Sequence, residues 1–235
     1  MATEEATLGP KWRTYGDACG AARGLDLVGE RWTLLVVREL LLGPKRFTDL
    51  RAGLPGISTN ILTDRLETLE VSGVARRRTL PPPAGSRVYE LTGWGEELGP
   101  VVEAIGRWGA RSPWRGERDE IGVDGLMVSF RTMFDPEAAG DLEASYGIVL
   151  GDQGFGLEVG RGSIRVYRGA PSDPDARIAT DVDTLDALVY EGGDLDEALR
   201  TGDAEIEGNR WAIERLLGLF PLPEPVPKPA VSRQG

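Results

Sequence analysis

The chain has 235 residues, with 27 Lys plus Arg against 38 Asp plus Glu, one Cys and no His. The length suits two domains, each able to bury its own core, and 40% apolar with 28% charged residues is the balance of a soluble globular protein. Without His there is no imidazole base, no Ser-His or Cys-His nucleophile pair and no histidine-ligated metal, and one Cys excludes an internal disulfide or a thiolate zinc cluster. No enzyme activity, cofactor or metal is therefore expected. No apolar run approaches the roughly 20 residues that span a bilayer. The start, Met-Ala-Thr-Glu-Glu-Ala, lacks the basic and apolar regions of a signal peptide, so a cytoplasmic protein without a membrane partner is expected.

The net charge of −11 argues against nucleic acid only as an average. Residues 1–115 hold 16 basic and 14 acidic residues (+2), and residues 116–235 hold 11 and 24 (−13). Such asymmetry points to two units with different roles.

Residues 1–15 are expected to be disordered or to form an arm. Ala18, Ala21, Ala22, Leu25 and Val28 then recur at helical spacing, which predicts a helix from Asp17 to Val28. A second, mostly buried helix is predicted from Arg31 to Leu42, with Trp32, Leu35, Val36, Glu39 and Leu40 along one stripe and Gly43-Pro44 as its stop. A short helix from Phe47 to Ala52 ends at the turn Gly53-Leu54-Pro55-Gly56. Ser58 caps the next helix, from Thr59 to about Ser72, with Ile57 and Leu62 placed as a hydrophobic staple and Ile61, Leu62, Leu66 and Leu69 as the buried stripe. Val74–Leu80 and Arg87–Leu91 read as a hairpin around a proline-rich tip, carrying Arg76, Arg77, Arg78 and Arg87. Thr92 caps a further helix containing Leu98, Val101, Val102, Ile105 and Trp108.

Short helix, tight turn, polar-faced helix and basic hairpin follow one another as in a winged helix-turn-helix. The second helix of such a pair enters a major groove about 12 Å wide, where small polar side chains reach base edges. Hairpin arginines then neutralise phosphates or enter the minor groove. A charged hairpin also serves simply as a solvated edge that resists aggregation. The candidate DNA contacts are Lys45, Arg46, Ser58, Thr59, Asn60, Thr63, Asp64, Arg65, Arg76, Arg77, Arg78 and Arg87. Each of those at the start of the polar-faced helix has base contact, helix capping and phosphate contact as alternatives. Arg65 is placed either on a phosphate or against Asp64.

The stretch Cys19–Gly109 resembles the HxlR-type regulators, a branch close to the MarR-like regulators. The resemblance is carried by Gly29-Glu30-Arg31-Trp32-Thr33-Leu34-Leu35, Arg38-Glu39-Leu40, Gly43-Pro44-Lys45-Arg46-Phe47, Leu54-Pro55-Gly56-Ile57-Ser58, Asn60-Ile61-Leu62, Arg65-Leu66, Leu69-Glu70 and Tyr89-Glu90-Leu91-Thr92. It implies a homodimeric regulator on a palindromic double-stranded operator, paired through the segment before Val28 and the helix Gly93–Gly109. It also implies a redox or electrophile-sensing alternative through Cys19, since regulators of this type often carry a cysteine there. Arg23, one turn on, would favour the thiolate. The proline that usually follows that cysteine is Gly20 here, and a small buried residue at a dimer seam is the other reading of Cys19.

Residues 111–120 read as a linker after a winged domain at 16–110. In 121–220, Val123, Leu126, Met127, Phe130, Met133 and Phe134 suggest a helix over Gly122–Phe134, closed by Asp135-Pro136. Period-two runs at Ser145–Leu150, Gly154–Val159 and Ser163–Tyr167 predict consecutive antiparallel strands, with Ala176–Thr180 as a fourth. Helices are predicted after Asp181 and Leu195, a strand at Ala204–Glu207 and a helix at Asn209–Phe220. Asp194 and Glu197 read as a solvated helix start, not a catalytic pair. Residues 221–235 are expected to be an extended, mobile proline-rich tail.

This second half resembles the sterol-carrier-protein-like fold at Ser163-Ile164-Arg165-Val166, Pro174-Asp175-Ala176, Thr180-Asp181, Thr184-Leu185, Ala198-Leu199 and Glu205-Ile206-Glu207-Gly208-Asn209. The fold class expected is α+β: a winged helix-turn-helix domain followed by an α/β sandwich-like sterol-carrier-type domain. Such a fold encloses an apolar tunnel, which suits an apolar small-molecule effector. Met127, Phe130, Met133, Phe134, Tyr146, Phe155, Leu188, Trp211 and Leu217 are the candidates to line it, with ordinary core packing as their alternative role. A lipid or metabolite carrier is the remaining functional alternative.

Overall fold

A computed structural model describes residues 13–114 and 120–229. Residues 1–12 of the expected arm, 115–119 of the linker and 230–235 of the tail lie outside the described residues. The chain forms two compact units, Met1–Leu98 and Gly99–Gly235. The boundary between them falls inside the expected 16–110 domain.

In the first unit, α1 (Gly20–Val28), α2 (Thr33–Leu40), α3 (Phe47–Ala52) and α4 (Thr59–Val71) are followed by β1 (Ala75–Thr79), β2 (Arg87–Leu91) and α5 (Gly93–Glu96). α2 starts two residues later than expected because Trp32 takes a left-handed backbone (φ 78°), with the Arg31 guanidinium 5.6 Å above its ring. Val36, Val37, Leu40, Leu50, Leu62, Leu66 and Leu69 make the core, while Leu35 turns out to face solvent. β1 and β2 pair antiparallel with Arg76 opposite Glu90 and Arg77 opposite Tyr89. Lys45 adds a third-strand bridge to Tyr89, through N–H to O contacts of 2.9 and 2.8 Å. The helix expected after Thr92 is split into α5 and α6. The Thr92 hydroxyl donates to Gly73 O (2.7 Å) and its oxygen accepts from Gly95 N (3.1 Å), tying the end of α4 to the hairpin exit. Gly95 approaches so closely that a Cβ there would sit 2.0 Å from Val74 O.

The second unit contains α6 (Gly99–Gly109), α7 (Val123–Met133), α8 (Pro136–Ala139), α9 (Val182–Asp186), a π-helical turn (Ala187–Glu191), α10 (Leu195–Thr201) and α11 (Arg210–Leu217) around one sheet. Its strands β3 (Ala144–Leu150), β4 (Gln153–Gly160), β5 (Ser163–Arg168), β6 (Ala176–Thr180) and β7 (Ala204–Gly208) are ordered β5-β4-β3-β6-β7. β3, β4 and β5 are antiparallel neighbours, as alternation predicts. β6 instead joins the free edge of β3 in parallel, because β4 holds the other edge, and this register sets buried Ile148 beside buried Ile178.

α7 is buried almost all round. Phe130 stacks on Phe220 at 4.4 Å, and the buried carboxylate of Asp124 is held by Arg168. α6 packs on α7 through Glu103–Arg131 (2.7 Å), an Arg107 bond to Thr132 O and the close approach of Gly106 to Thr132. Its other side leaves Val101, Ile105 and Trp108 exposed. The proline-rich segment 221–229 has no regular structure, yet it is tied down where a free tail was expected. Val226 N donates to Arg111 O (2.8 Å), Arg111 Nε donates to Glu224 O (3.3 Å), and Lys228 lies 5.6 Å over Trp114. No helix among the described residues is long and apolar enough to cross a membrane.

Candidate nucleic-acid interface

The turn after α3 buries Leu54 and Ile57. Ser58 then caps α4 by accepting from Ile61 N at 3.3 Å. With Leu62, Leu66 and Leu69 fully buried, helical geometry puts Asn60, Asp64 and Glu67 on the opposite side, and all three are exposed. Ser58 and Thr59 are exposed at the helix start, and Thr63 is half-buried with its hydroxyl on Thr59 O at 2.9 Å. The structure thus brings Ser58, Thr59, Asn60, Thr63 and Asp64 together on one surface. Ile61, expected in the buried stripe, is 39% exposed beside them.

One of the expected contacts is corrected, and one of the two alternatives for Arg65 is removed. Lys45 is 8% exposed, and its ammonium lies 2.6 Å from Glu39 Oε2. Glu39, itself 1% exposed, takes Arg38 on its other oxygen at 2.8 Å. A buried carboxylate needs cations around it, so Lys45 belongs to the interior and not to a phosphate. Gly53 makes room for this carboxylate, since a Cβ would stand 2.2 Å from Glu39 Oε2. Arg65 is half-buried and does not pair with Asp64. It lies 3.5 Å from Glu30 Oε2, with its Nε buried and without a partner. Arg65 lines a cleft of about 700 Å³ with Arg13, Tyr15, Leu25, Asp26 and Thr68.

On the hairpin, Arg76 and Arg78 both bind Glu90, at 2.7 and 2.8 Å, and Arg77 binds Glu70 at 2.9 Å while lying 5.1 Å over Tyr89. Glu90 is nearly buried, whereas the three arginines remain largely exposed. Arg46 and Arg87 are exposed with no ion pair among the described residues. The surface therefore holds two loose cations, Arg46 and Arg87, and three tethered ones. The tethering carboxylates Glu90 and Glu70 escaped the sequence reading, although the cross-strand pairing of Arg76 with Glu90 is the kind of signal that finds them.

Cys19 is exposed immediately before α1. Its N–H donates to Asp17 Oδ1 (2.8 Å), and its carbonyl accepts from Arg23 N (3.0 Å). In the second unit, Met127, Phe130, Tyr146 and Phe155 are fully buried, Met133 and Leu188 nearly so, and Phe134 and Leu217 partly. Trp211, expected to line an interior, is 63% exposed on α11, because Ala212, Ile213 and Leu216 take the inward face. Two phenols stand among these apolar side chains. Tyr190, which the sequence reading missed, shares a hydrogen bond with Ser129 Oγ (2.7 Å), and burial pushes its phenol well above the ordinary value. The Tyr146 hydroxyl is buried without a partner, and burial followed by the Asp175 charge raises its pKa. Asp194 caps α10 by accepting from Asp196 N and Glu197 N, and Glu197 pairs with Arg200. Both carboxylates are spent on the helix start. Among the described residues no group of His, Cys, Asp and Glu is placed to hold a metal.

A family model described as HxlR-like helix-turn-helix matches residues 27–116, and one described as alkyl sulfatase C-terminal matches residues 122–226. The first match crosses the boundary between the two units and includes α6. The HTH-type transcriptional regulator YvaP of Bacillus subtilis is 36% identical over 86 residues, which are 37% of this chain and 80% of YvaP. The regulator sll1512 of Synechocystis is 37% identical over 109 residues, 46% of this chain and 80% of its own. Among solved structures, the redox regulator HypR in its oxidised form matches at 29% identity and a TM-score of 0.37, covering 43% of this chain and all of HypR.

Proposed function

The chain belongs to the HxlR-like helix-turn-helix family of transcriptional regulators, and from that premise we propose that it is a cytoplasmic, homodimeric repressor released from a palindromic operator by an apolar small molecule. The observation that carries the DNA-binding part is the polar face of α4. Ser58, Thr59, Asn60 and Asp64 stand exposed there, opposite a fully buried leucine stripe and flanked by an arginine hairpin. The uncovered apolar face of α6, with Val101, Ile105 and Trp108, supports a homodimer, because a surface helix with no partner has no use for those side chains.

The effector part is supported by the second unit. Its helices lie against a five-stranded sheet with a core of Met127, Phe130, Met133, Tyr146 and Phe155, an arrangement compatible with a sterol-carrier-type binding fold. The two methionines adapt readily to varied ligands. The excess negative charge of this half keeps it off the duplex. Release by 100-fold requires the effector to prefer the off state by about 2.7 kcal/mol. The relatives are named as regulators, while the second half matches a domain named for an enzyme, and the carboxylates singled out in it serve as helix caps and ion pairs.

A gel-shift titration of the full chain on its own promoter region tests the reading. Saturable, salt-sensitive binding is expected, together with mass-spectrometric detection of an apolar molecule that co-purifies and lowers DNA affinity. Failure to bind any duplex leaves the carrier alternative. The exposure of Cys19 favours a second reading, in which oxidants or electrophiles modify that thiol. Operator binding that stays oxidant-sensitive in Cys19→Ser sinks it.

A further inference from the structure

The polar groups on α4 are not evenly divided between donors and acceptors. The hydroxyls of Thr63 and Thr68 donate to Thr59 O (2.9 Å) and Asp64 O (2.8 Å) of their own helix. The next cation along the helix, Arg65, lies against Glu30, and the positions three and four residues from Asp64 on its own helix are Asn60, Ile61, Glu67 and Thr68, none of them a cation. The Asp64 carboxylate is left exposed, on the side opposite the leucine stripe, with no hydrogen-bond or ion-pair partner among the described residues.

A carboxylate accepts and cannot donate, and in a groove walled by phosphates it is repelled unless a base edge donates to it. In the major groove guanine offers N7 and O6 and thymine offers O4, all acceptors. Only the cytosine N4 and adenine N6 amino groups donate. Beside the adenine amino group stands N7, whose lone pair opposes the second carboxylate oxygen. Beside the cytosine amino group stands C5–H, which carries no lone pair.

We propose that Asp64 is a specificity-determining residue that selects cytosine in each operator half-site, accepting a hydrogen bond from its N4 amino group and rejecting guanine and thymine by repulsion. The proposal rests on the DNA-binding reading above and adds the base to it. It gives the negative charge on this face a use, because discrimination needs a penalty for the wrong partner as well as a gain for the right one. Thymine has no amino group to offer, so a C·G to T·A change under Asp64 weakens binding roughly 10- to 100-fold. Removing the carboxylate removes both the gain and the penalty.

The test is selection from a randomised duplex pool by the full-length chain and by Asp64→Asn and Asp64→Ala, followed by affinity measurements at fixed salt on the selected duplex and its C·G to T·A variant. The wild-type chain is expected to select one cytosine per half-site and to lose the stated factor on the variant. Both substituted chains are expected to bind the two duplexes within about threefold of each other and to bind unselected duplex more tightly than wild type, since a charge facing the phosphates is gone. Asn is isosteric with Asp and the site is exposed, so circular dichroism is expected to match wild type. The same base preference in all three chains, or a uniform loss on every duplex, overturns the proposal while leaving the DNA-binding reading intact. A wild-type chain that binds duplex but selects no cytosine likewise overturns only the proposal, and one that binds no duplex overturns both.

Discussion

The α4 face and the hairpin both present charge to the same solvent, and they treat it in opposite ways. Three of the hairpin's four arginines are held, Arg76 and Arg78 by nearly buried Glu90 of β2 and Arg77 by half-buried Glu70 at the end of α4, leaving Arg87 loose. On α4 the carboxylate of Asp64 is left unpaired while the neighbouring cation, Arg65, is held elsewhere. Phosphate attraction is indifferent to sequence, and base edges are not. On the proposed reading, an element that moderates its cations would limit non-specific affinity, and an element with a bare acceptor would supply discrimination. Together they suit a chain whose overall charge is −11 and whose first 115 residues carry only +2.

The largest effect that sharpens this contrast is expected at Lys45. Lys45→Met leaves Glu39 buried with Arg38 alone, which costs about 3 kcal/mol. Chemical denaturation is expected to show that loss in the transition of the first unit. At a temperature where the variant is folded, the salt dependence of DNA binding is expected to match wild type, because Lys45 does not face solvent. A slope lowered by about 0.9, the value of one phosphate contact, contradicts the interior assignment. Ser58→Ala comes next. It removes the cap bond to Ile61 N and costs about 1 kcal/mol, read by the same denaturation curve. Retained stability means that the cap is not what holds the first turn of α4.

Lys45 also shows what was legible in the sequence and what was not. The bounds of α3 follow from an apolar residue after the basic pair and a Gly-Leu-Pro-Gly stop, and the Ser58 cap from a local pattern, so both are found as expected. Lys45 sits in a run that looks as exposed as Arg46. Only the fold brings it over Glu39, and only the bridge to Tyr89 fixes it there. Arg65 and Ile61 fail in the same way, since Glu30 is thirty-five residues away in sequence and the tilt of α4 decides which apolar side chain turns out. β6 has the right alternation, but alternation carries no information on which edge it joins or in which direction. Local pattern places elements and caps, while partners distant in sequence decide which charges are available to a ligand.

A smaller effect is expected at Glu90. Glu90→Gln keeps a hydrogen-bond acceptor for one arginine but removes the charge that holds two, Arg76 and Arg78. Affinity for any duplex is expected to rise several-fold, with a salt slope steeper by about 1 and no change in base preference. A gain confined to the selected operator places Glu90 among the reading groups instead and breaks the contrast between hairpin and helix.

The finest test compares two arginines on the same hairpin. Arg87 has no carboxylate partner among the described residues, whereas Arg76 lies 2.7 Å from Glu90. A phosphate that meets Arg87 gains a full counter-charge, so Arg87→Ala is expected to lower the salt slope by about 0.9. A phosphate that meets Arg76 competes with Glu90, and Arg76→Ala also leaves Glu90 to bind Arg78 more closely. The slope is expected to fall there by clearly less than 0.9. In the Glu90→Gln background the two substitutions are expected to converge, because the competitor is gone. Equal slopes in the wild-type background mean that Glu90 lets go of Arg76 on binding at no cost, and the hairpin then acts as four independent cations.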